Sequence, residues 1–396
     1  MNSKEKIKEV LGRGVEQVIV KDSLAKKLAS GKKLRVKLGV DPTSPRLHLG
    51  HTVVLRKLKQ FQALGHQVIF LVGDFTARIG DPSDKLSARK ALMPKDIQKN
   101  METYKKQVGK ILDLSKAEFR FNTEWHINMD FAELFQLTSL FTVNQMLERD
   151  MFQQRMKKKK PLWIHELLYP LLQGYDSVAL QANVEIGGTD QTFNMLTART
   201  IQPYYQQSAQ DIITCTLIEG TDGKEKMSKS IGNTIDILDK PENMYGKIMS
   251  LPDHVIIKFF RVLTDVPEKE ISEFEKDMKN GANPRDCKAK LAKEIVTMYH
   301  GKSVALKAEK EFDQVFKDKK APTEMPIFQA KKGSYSITDI LQASKLVVSK
   351  SEARRLIEQG GVSFDNKVIK DWQAKVELKD GMVIKAGKRK FVRVKM

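Results

Sequence analysis

Apolar residues in the first part of the chain alternate between the spacing of strands and the spacing of helices. Residues 34–40 form a short apolar run that ends at Asp41, and apolar side chains then recur at helical spacing over residues 48–61. Gly65 is suited to end that helix, and residues 66–72 form a second run rich in Val, Ile and Phe. This order predicts a βαβ unit, and hence a parallel sheet with a ligand crevice at the carboxyl ends of its strands.

Helical spacing predicts further helices on both sides of this unit. Residues 1–33 are predicted as one amphipathic helix that stops near Gly31. A helix is also predicted within residues 163–182, where Pro170 lacks a backbone N–H and indicates a kink or a helix start. The other segments predicted as mainly helical are residues 95–160, with a strand near 119–121, and residues 240–317.

The C-terminal segment from residue 331 has a pattern of its own. Ser349 and Glu352 have the spacing of a capping box that opens a helix, and hairpin turns are predicted at residues 365–366 and 380–381. The segment holds 16 lysines and arginines against 7 acidic residues, a net charge of +9. A cationic helix beside small strands is typical of proteins that read the shape and phosphates of RNA.

Composition limits the class of protein. The 396 residues are enough for two or three domains, and the net charge of +20 favours a nucleic-acid partner over an anionic membrane surface. The longest apolar runs are too short to span a bilayer and the N-terminus lacks an apolar signal segment, so we expect no membrane association and a cytoplasmic location. Cys215 and Cys287 support neither a disulfide framework nor a cysteine-ligated metal, which fits a reducing compartment.

Candidate chemistry begins where the first predicted strand turns into its helix. Residues 48–51, His-Leu-Gly-His, open that helix, where free backbone N–H groups and the helix dipole favour a phosphate and the glycine permits close approach of a nucleotide. The turn after the second strand adds Asp81, which can hold an ammonium, and Lys85 and Arg89, which can reach phosphate oxygens. Each motif alone is equally consistent with a polar surface turn.

A polar stripe follows on the helix predicted within residues 163–182. Tyr169, Gln173 and Asp176 are spaced i, i+4 and i+7 and therefore share one face. A phenol, an amide and a carboxylate can line a pocket for a small polar aromatic molecule, although a structural hydrogen-bond network fits the same spacing. Residues 187–191, Gly-Gly-Thr-Asp-Gln, favour the pocket, because paired glycines permit close backbone approach and the acid suits ribose hydroxyls.

A lysine-dense loop at residues 221–230 follows a strand predicted over 212–218. Lys226 and Lys229 can reach one phosphate cluster from a flexible backbone and neutralise charge that develops as a phosphate leaves. A lysine and serine loop of this kind is also compatible with an ordinary solvent-facing surface.

Together, these motifs resemble the signatures of one enzyme family. His-Leu-Gly-His at 48–51 and Lys-Met-Ser-Lys-Ser at 226–230 resemble the two signatures of class I aminoacyl-tRNA synthetases. The segments that resemble the bacterial tyrosyl-tRNA synthetases are 39–43, 80–83, 169–176, 187–191 and, as an S4 RNA-binding fold, the tail from Ser336. The implied architecture is a Rossmann-like α/β catalytic domain with a parallel sheet (residues 1–235), an α-helical domain (236–320), a linker (321–334) and a small α+β S4-like domain (335–396).

The resemblance implies a homodimeric enzyme that makes tyrosyl-adenylate and pyrophosphate from L-tyrosine and ATP with Mg²⁺, and then charges the terminal adenosine of tRNA(Tyr). No protein-ligated structural metal is expected. The implied tyrosine contacts are Asp176 to the phenol, Gln191 to the carboxylate side, and Asp81, Tyr169 and Gln173 to the ammonium. The implied contacts to ATP are Asp190 to the ribose, Gly50 and His51 to the nucleotide, and Thr43, His48, Lys85, Arg89, Lys226 and Lys229 to the departing pyrophosphate.

Two positions depart from the family pattern. Lys37 stands where much of the family has a tyrosine that shares the substrate hydroxyl, and Leu38 replaces a cysteine near the ribose. We therefore leave both out of the predicted site and hypothesise that Asp176, with or without Lys37, selects the hydroxyl. The alternatives are a tryptophanyl-tRNA synthetase of the same fold, a nucleotidylyltransferase that does not act on tRNA, and a noncatalytic RNA-binding protein.

Overall fold

The chain forms two compact units, Met1–Ala305 and Leu306–Met396. The computed structural model describes residues 3–81, 92–316, 325–331, 333–387 and 390–396. The finer domain boundary at residue 235 and the linker at residues 321–334 stay predictions.

A six-stranded sheet forms the centre of the first unit. Its strands are β1 (Val15–Ile19), β2 (Arg35–Val40), β3 (Gln67–Val72), β4 (Ala117–Phe121), β5 (Val184–Gly188) and β6 (Asp211–Cys215). They lie in the order β1-β6-β5-β2-β3-β4, and every neighbouring pair is parallel except β1 and β6. The chain order reverses between β2 and β5, which in an open parallel sheet is where a ligand crevice forms.

Helices account for most of the remaining residues of this unit. They are α1 (Ser3–Gly12), α2 (Lys21–Ala29), α3 (Leu49–Ala63), α4 (Pro94–Met101), α5 (Tyr104–Val108), α6 (Thr123–His126), α7 (Phe131–Ser139), α8 (Val143–Leu147), α9 (Asp150–Lys157), α10 (Ile164–Ala179), α11 (Thr192–Tyr204), α12 (Pro241–Met249), α13 (Ile256–Leu263), α14 (Glu268–Lys279), α15 (Pro284–His300) and α16 (Lys302–Phe316), which contains the division between the units. Within the described ranges, no helix combines the length and the apolar content needed to cross a bilayer.

The predicted βαβ unit is confirmed. β2, α3 and β3 follow one another close to the predicted bounds, the two strands are parallel, and Gly65 adopts a φ of +86° beyond the end of α3. The prediction of a single helix over residues 1–33 is wrong, because β1 interrupts it and pairs with β6. Gly14 turns the chain there with a φ of +68°, and the β-branched residues that follow fit an edge strand.

Several smaller predictions can be compared with the structure. The strand near 119–121 is the end of β4, and α10 continues through Pro170 instead of starting or ending there. The strand predicted over 212–218 ends earlier, at the end of β6. Lys85 and Arg89, with the helix predicted to carry them, fall in residues 82–91 and lie outside the described residues.

The described part of the second unit contains small strands and two helices besides the end of α16. The elements are α17 (Ile337–Ala343), α18 (Lys350–Glu358), β7 (Ile327–Gln329), β8 (Ser334–Ser336), β9 (Val362–Phe364), β10 (Lys367–Ile369), β11 (Lys375–Glu377), β12 (Val383–Ala386) and β13 (Lys390–Lys395). One sheet has the order β10-β9-β12-β13-β7, and β11 pairs with β8 in a second sheet. β7 therefore lies in the segment predicted as a linker, where it pairs in parallel with β13.

Turn and cap predictions in this unit have mixed outcomes. The Ser349 hydroxyl accepts from the Glu352 N–H at 3.2 Å as predicted, but the Glu352 carboxylate accepts from the N–H of Val348 at 2.8 Å. The turn at 365–366 joins the β9–β10 hairpin, as predicted. The hairpin predicted at 380–381 is wrong, because the strand before this turn pairs with β8 and the strand after it pairs with β9 and β13.

Candidate active site

A cavity of about 400 Å³ lies at the carboxyl ends of β2 and β5. Its volume is within the usual range for a small-molecule site, and its position is the reversal point of the sheet order. The sequence-predicted site residues that line it are Thr43, His48, Gly50, His51, Asp81, Tyr169, Gln173, Asp176, Asp190, Gln191, Lys226 and Lys229. Residues from six separate motifs therefore meet in one cavity.

Two histidines form the wall at the start of α3. His48 is the N-cap, and its Nδ1 accepts from the Gly50 N–H at 3.2 Å, while His51 Nδ1 accepts from the His48 N–H at 3.2 Å. Because both Nδ1 atoms accept, each neutral ring carries its proton on Nε2. The ring centroids are 3.9 Å apart with the ring planes tilted by 51°, and a Cβ at Gly50 would lie 2.9 Å from the His48 ring. Glycine is therefore required for this arrangement.

Burial keeps both imidazoles neutral. Desolvation first, and then the neighbouring His51 and the lysines of the loop, lower the pKa of His48 far below its ordinary value. Desolvation, followed by Lys229 and Lys226, lowers the pKa of His51 to about 3. Both side chains are therefore hydrogen-bond donors to an anionic ligand at neutral pH, and neither is a cation.

The lysine loop supplies the positive charge on the same side of the cavity. Lys226 Nζ forms an ion pair of 2.5 Å with Asp190, the residue predicted to bind ribose. Burial lowers the pKa of Lys229 to about 8, against a smaller opposing effect of Asp236. Within the described ranges, no group of three or more His, Cys, Asp and Glu side chains is arranged to hold a metal ion.

Asn233, for which the sequence predicted no role, binds the lysine loop through hydrogen bonds. Its Oδ1 accepts from the Ser228 N–H at 2.8 Å, and its Nδ2 donates to Asp222 at 2.7 Å. The side chain is 4% exposed, and a Cβ at Gly220 would lie 2.1 Å from it. Its place just after the Lys-Met-Ser-Lys-Ser run was the available signal.

Asp176 lies at another part of the cavity wall and is 3% exposed. One carboxylate oxygen, Oδ1, accepts from Trp125 Nε1 at 2.9 Å and from His126 Nε2 at 2.8 Å. The other, Oδ2, has a longer contact of 3.4 Å with Asn122 Nδ2. Oδ2 is therefore the oxygen better able to accept from a ligand hydroxyl. Asn122 follows β4, and Trp125 and His126 lie in α6. No sequence motif predicted these residues as partners of Asp176.

Tyr169 and the pair of Asp81 and Gln191 make two further sets of hydrogen bonds along the cavity. The Tyr169 hydroxyl donates to Asp41 at 2.9 Å. Asp81 accepts from Arg149 at 3.0 Å and from Gln191 at 2.7 Å. Asp41 and Arg149 are not among the site residues predicted from the sequence. Asp41 could have been found from the Gly-Val-Asp-Pro-Thr motif, whereas Arg149 has no local signal.

Lys37 is fully buried and has its partners within the protein. Its Nζ donates to Ser177 Oγ at 2.7 Å and to the Gln173 carbonyl at 3.1 Å, and forms an ion pair of 3.2 Å with Glu185. The next residue of the strand, Leu38, faces the opposite side of the sheet and lines the cavity. The hydroxyl-selecting role considered for Lys37 is not supported by these contacts.

Comparison with protein families gives matches over residues 29–394. Residues 29–317 match the family model of tRNA synthetases class I (W and Y), and residues 311–394 match that of the tyrosine–tRNA ligase SYY-like C-terminal domain. The tyrosine–tRNA ligase of Thermotoga maritima is 50% identical over 395 residues, which cover 100% of this chain and 98% of that protein. That of Moorella thermoacetica is 47% identical and covers 97% of this chain and 94% of that protein.

Solved structures give the same fold. A tyrosyl-tRNA synthetase from Archaeoglobus fulgidus, complexed with L-tyrosine, is 25% identical with a TM-score of 0.64, covering 78% of this chain and all of that chain. A mitochondrial tyrosyl-tRNA synthetase from Aspergillus nidulans is 23% identical with a TM-score of 0.65, covering 79% of this chain and 94% of that chain.

Proposed function

The chain belongs to the tyrosine–tRNA ligases of the class I tRNA synthetase family, and on this premise we propose how its residues divide the work of the reaction. The reaction activates tyrosine with ATP and then transfers the tyrosyl group to tRNA(Tyr). One observation carries the proposal: a single cavity joins the histidine and lysine wall to the buried carboxylate of Asp176. Such a cavity can hold a tyrosine and a nucleotide end to end.

The tyrosine is oriented by its two polar ends. Asp176 Oδ2 accepts the hydrogen bond of the phenol, because its other oxygen already has two donors. Asp81, Tyr169 and Gln173 receive the ammonium, and Gln191, which is bonded to Asp81, lies on the side of the substrate carboxylate. This orientation directs the carboxylate towards the α-phosphate of ATP.

ATP binds against the opposite wall. Asp190 accepts from the ribose hydroxyls, and Gly50 and His51 lie against the nucleotide. The groups proposed to surround the departing pyrophosphate are Thr43, His48, Lys226, Lys229 and, outside the described residues, Lys85 and Arg89. The tyrosine carboxylate is already a nucleophile, so positioning and charge stabilisation are sufficient and no general base is needed.

For the nucleotide to bind as proposed, the ion pair between Asp190 and Lys226 must break. The ribose takes over Asp190, and the ammonium of Lys226 is released to the phosphates. Lys226, proposed to bind phosphate, is thus paired with the residue proposed to bind ribose. Mg²⁺ brought with ATP would be held mainly by the substrate phosphates and water, with few protein ligands, and would offset the phosphate charge.

A homodimer is supported by apolar side chains that face outward on two helices. Phe131 and Phe135 on α7 are 80% and 68% exposed, and Ile164 at the start of α10 is 81% exposed. The two helices are linked by a hydrogen bond of 2.6 Å from Tyr175 to Glu133. Exposed apolar surface of this kind marks an interaction site, and a second copy of the chain is the proposed partner.

The second unit is proposed to bind the tRNA in the cytoplasm. The net charge of +9 from residue 331 onward supports a phosphate-binding role. Deleting the residues beyond Lys331 should leave adenylate formation intact and lower tRNA charging. An equal loss of both activities would contradict this separation of roles.

Pyrophosphate exchange in the presence of single amino acids tests the proposed site. L-tyrosine should support exchange in the full-length protein with a far higher kcat/KM than L-phenylalanine, and L-tryptophan should not support it. Exchange with tryptophan in preference to tyrosine would contradict the assignment of Asp176 to a phenol.

A further inference from the structure

A buried ion pair lies beside the residue proposed to bind the substrate ammonium, and its acidic member, Glu185, also lines the cavity. Lys37 and Glu185 are 0% and 2% exposed, on the neighbouring strands β2 and β5. Besides Lys37, the Glu185 carboxylate accepts from Ser177 Oγ, from Gln210 Nε2 and, at 3.2 Å, from Gln173 Nε2. Every partner of this carboxylate is thus a donor, and one of them is the side chain of a cavity residue.

The charge of Glu185 decides which way the Gln173 amide points. An ionised carboxylate can only accept hydrogen bonds, so the amide must turn its NH₂ group to Glu185. The amide oxygen is then left for the cavity, where an ammonium needs an acceptor. The Lys37 ammonium compensates the buried carboxylate, and it also binds the Gln173 backbone carbonyl at 3.1 Å.

We propose that Lys37 and Glu185 are positioning residues that hold the Gln173 amide with its oxygen towards the ammonium of tyrosine. This inference rests on the proposed role of Gln173. Without Lys37, Glu185 becomes an uncompensated buried carboxylate that is relieved by taking up a proton, and a carboxylic acid can donate to the amide oxygen. The amide is then free to turn its NH₂ group towards the substrate, which repels an ammonium.

The test compares two ligands that differ only in the ammonium. Dissociation constants of L-tyrosine and of desaminotyrosine, which lacks the amino group, are measured for the full-length wild type, for Lys37→Met, for Glu185→Gln and for the double variant. Each variant should bind L-tyrosine about tenfold more weakly, the size of one hydrogen bond to a charged group, with the affinity for desaminotyrosine unchanged. The double variant should recover thermal stability, because it contains no unpaired buried charge, without recovering the affinity for tyrosine.

Two further variants separate the possible outcomes. Arg155→Met breaks a comparably buried ion pair with Glu166 on the same helix as Gln173, and it should lower stability without changing the ratio of the two affinities. Gln173→Ala should change that ratio, and a failure here would refute the role of Gln173 itself. If Gln173→Ala changes the ratio but the Lys37 and Glu185 variants weaken both ligands equally, or neither, the positioning role is refuted.

Discussion

Replacing Asp176 by asparagine should remove most of the selection for the tyrosine hydroxyl. Asp176 is nearly fully buried, and its Oδ1 is fixed by Trp125 and His126. Asparagine keeps the shape of the side chain, so its amide oxygen can still accept from these two donors. Its NH₂ group then takes the place of Oδ2, where the proposed phenol contact is made.

The magnitude follows from the loss of a charged acceptor. A hydrogen bond to a charged group contributes about 1.5 to 3 kcal/mol, which corresponds to roughly 10- to 150-fold in kcat/KM. Phenylalanine makes no hydrogen bond to Asp176 and loses nothing in the variant. The ratio of kcat/KM for tyrosine over phenylalanine should therefore fall by roughly 10- to 150-fold.

Pyrophosphate exchange measures this ratio directly. The matched control is Asp96→Asn, which makes the same chemical change at an exposed position of α4 and should leave the ratio unaltered. An Asp176→Asn variant that discriminates as well as the wild type would refute the reasoning. Equal losses with both amino acids would instead show a general distortion of the cavity.

Three other perturbations have defined outcomes. Since the pKa of Lys229 is lowered to about 8, its side chain is cationic below this pH and neutral above it, so kcat/KM for ATP should fall as pH rises through about 8. Lys229→Arg should keep the charge and flatten this decline, and an unchanged profile would contradict the assignment. Asn233→Ala leaves the Ser228 N–H without its hydrogen-bond acceptor. Adenylate formation in a single turnover should therefore slow by roughly tenfold, with unchanged affinity for tyrosine. A loss of tyrosine affinity would contradict the role of Asn233 in the lysine loop. Phe135→Asp should shift the protein to a monomer in analytical ultracentrifugation, while a dimer that persists would exclude α7 from the interface.

Local patterns in the sequence were sufficient for the central part of the fold. The spacing of apolar residues and the glycine at position 65 defined β2, α3 and β3, since strand and helix periods are properties of neighbouring residues. The N-terminal segment was predicted wrongly because β1 depends on pairing with β6, about 200 residues away. Likewise, the turn at residues 380–381 is local, but the choice of partner strands is not.

The candidate site shows the same difference between local sequence patterns and contacts from distant segments. Residues within recognisable motifs, such as His48 and Asp176, could be predicted to share a cavity. The partners that orient them, His126 on Asp176 and Arg149 on Asp81, are brought in from distant segments without a motif of their own. Lys37 was recognised as unusual, but only the packing of β2 against β5 reveals its ion pair with Glu185.

The orientation of the substrate can be tested most directly by a crystal structure of the full-length protein with a nonhydrolysable tyrosyl-adenylate analogue. The proposed mechanism predicts the phenol oxygen within hydrogen-bond distance of Asp176, the ammonium between Asp81, Tyr169 and Gln173, and the ribose on Asp190 with Lys226 displaced. A reversed ligand, with the phenol at His48 or the ribose at Asp176, would contradict it.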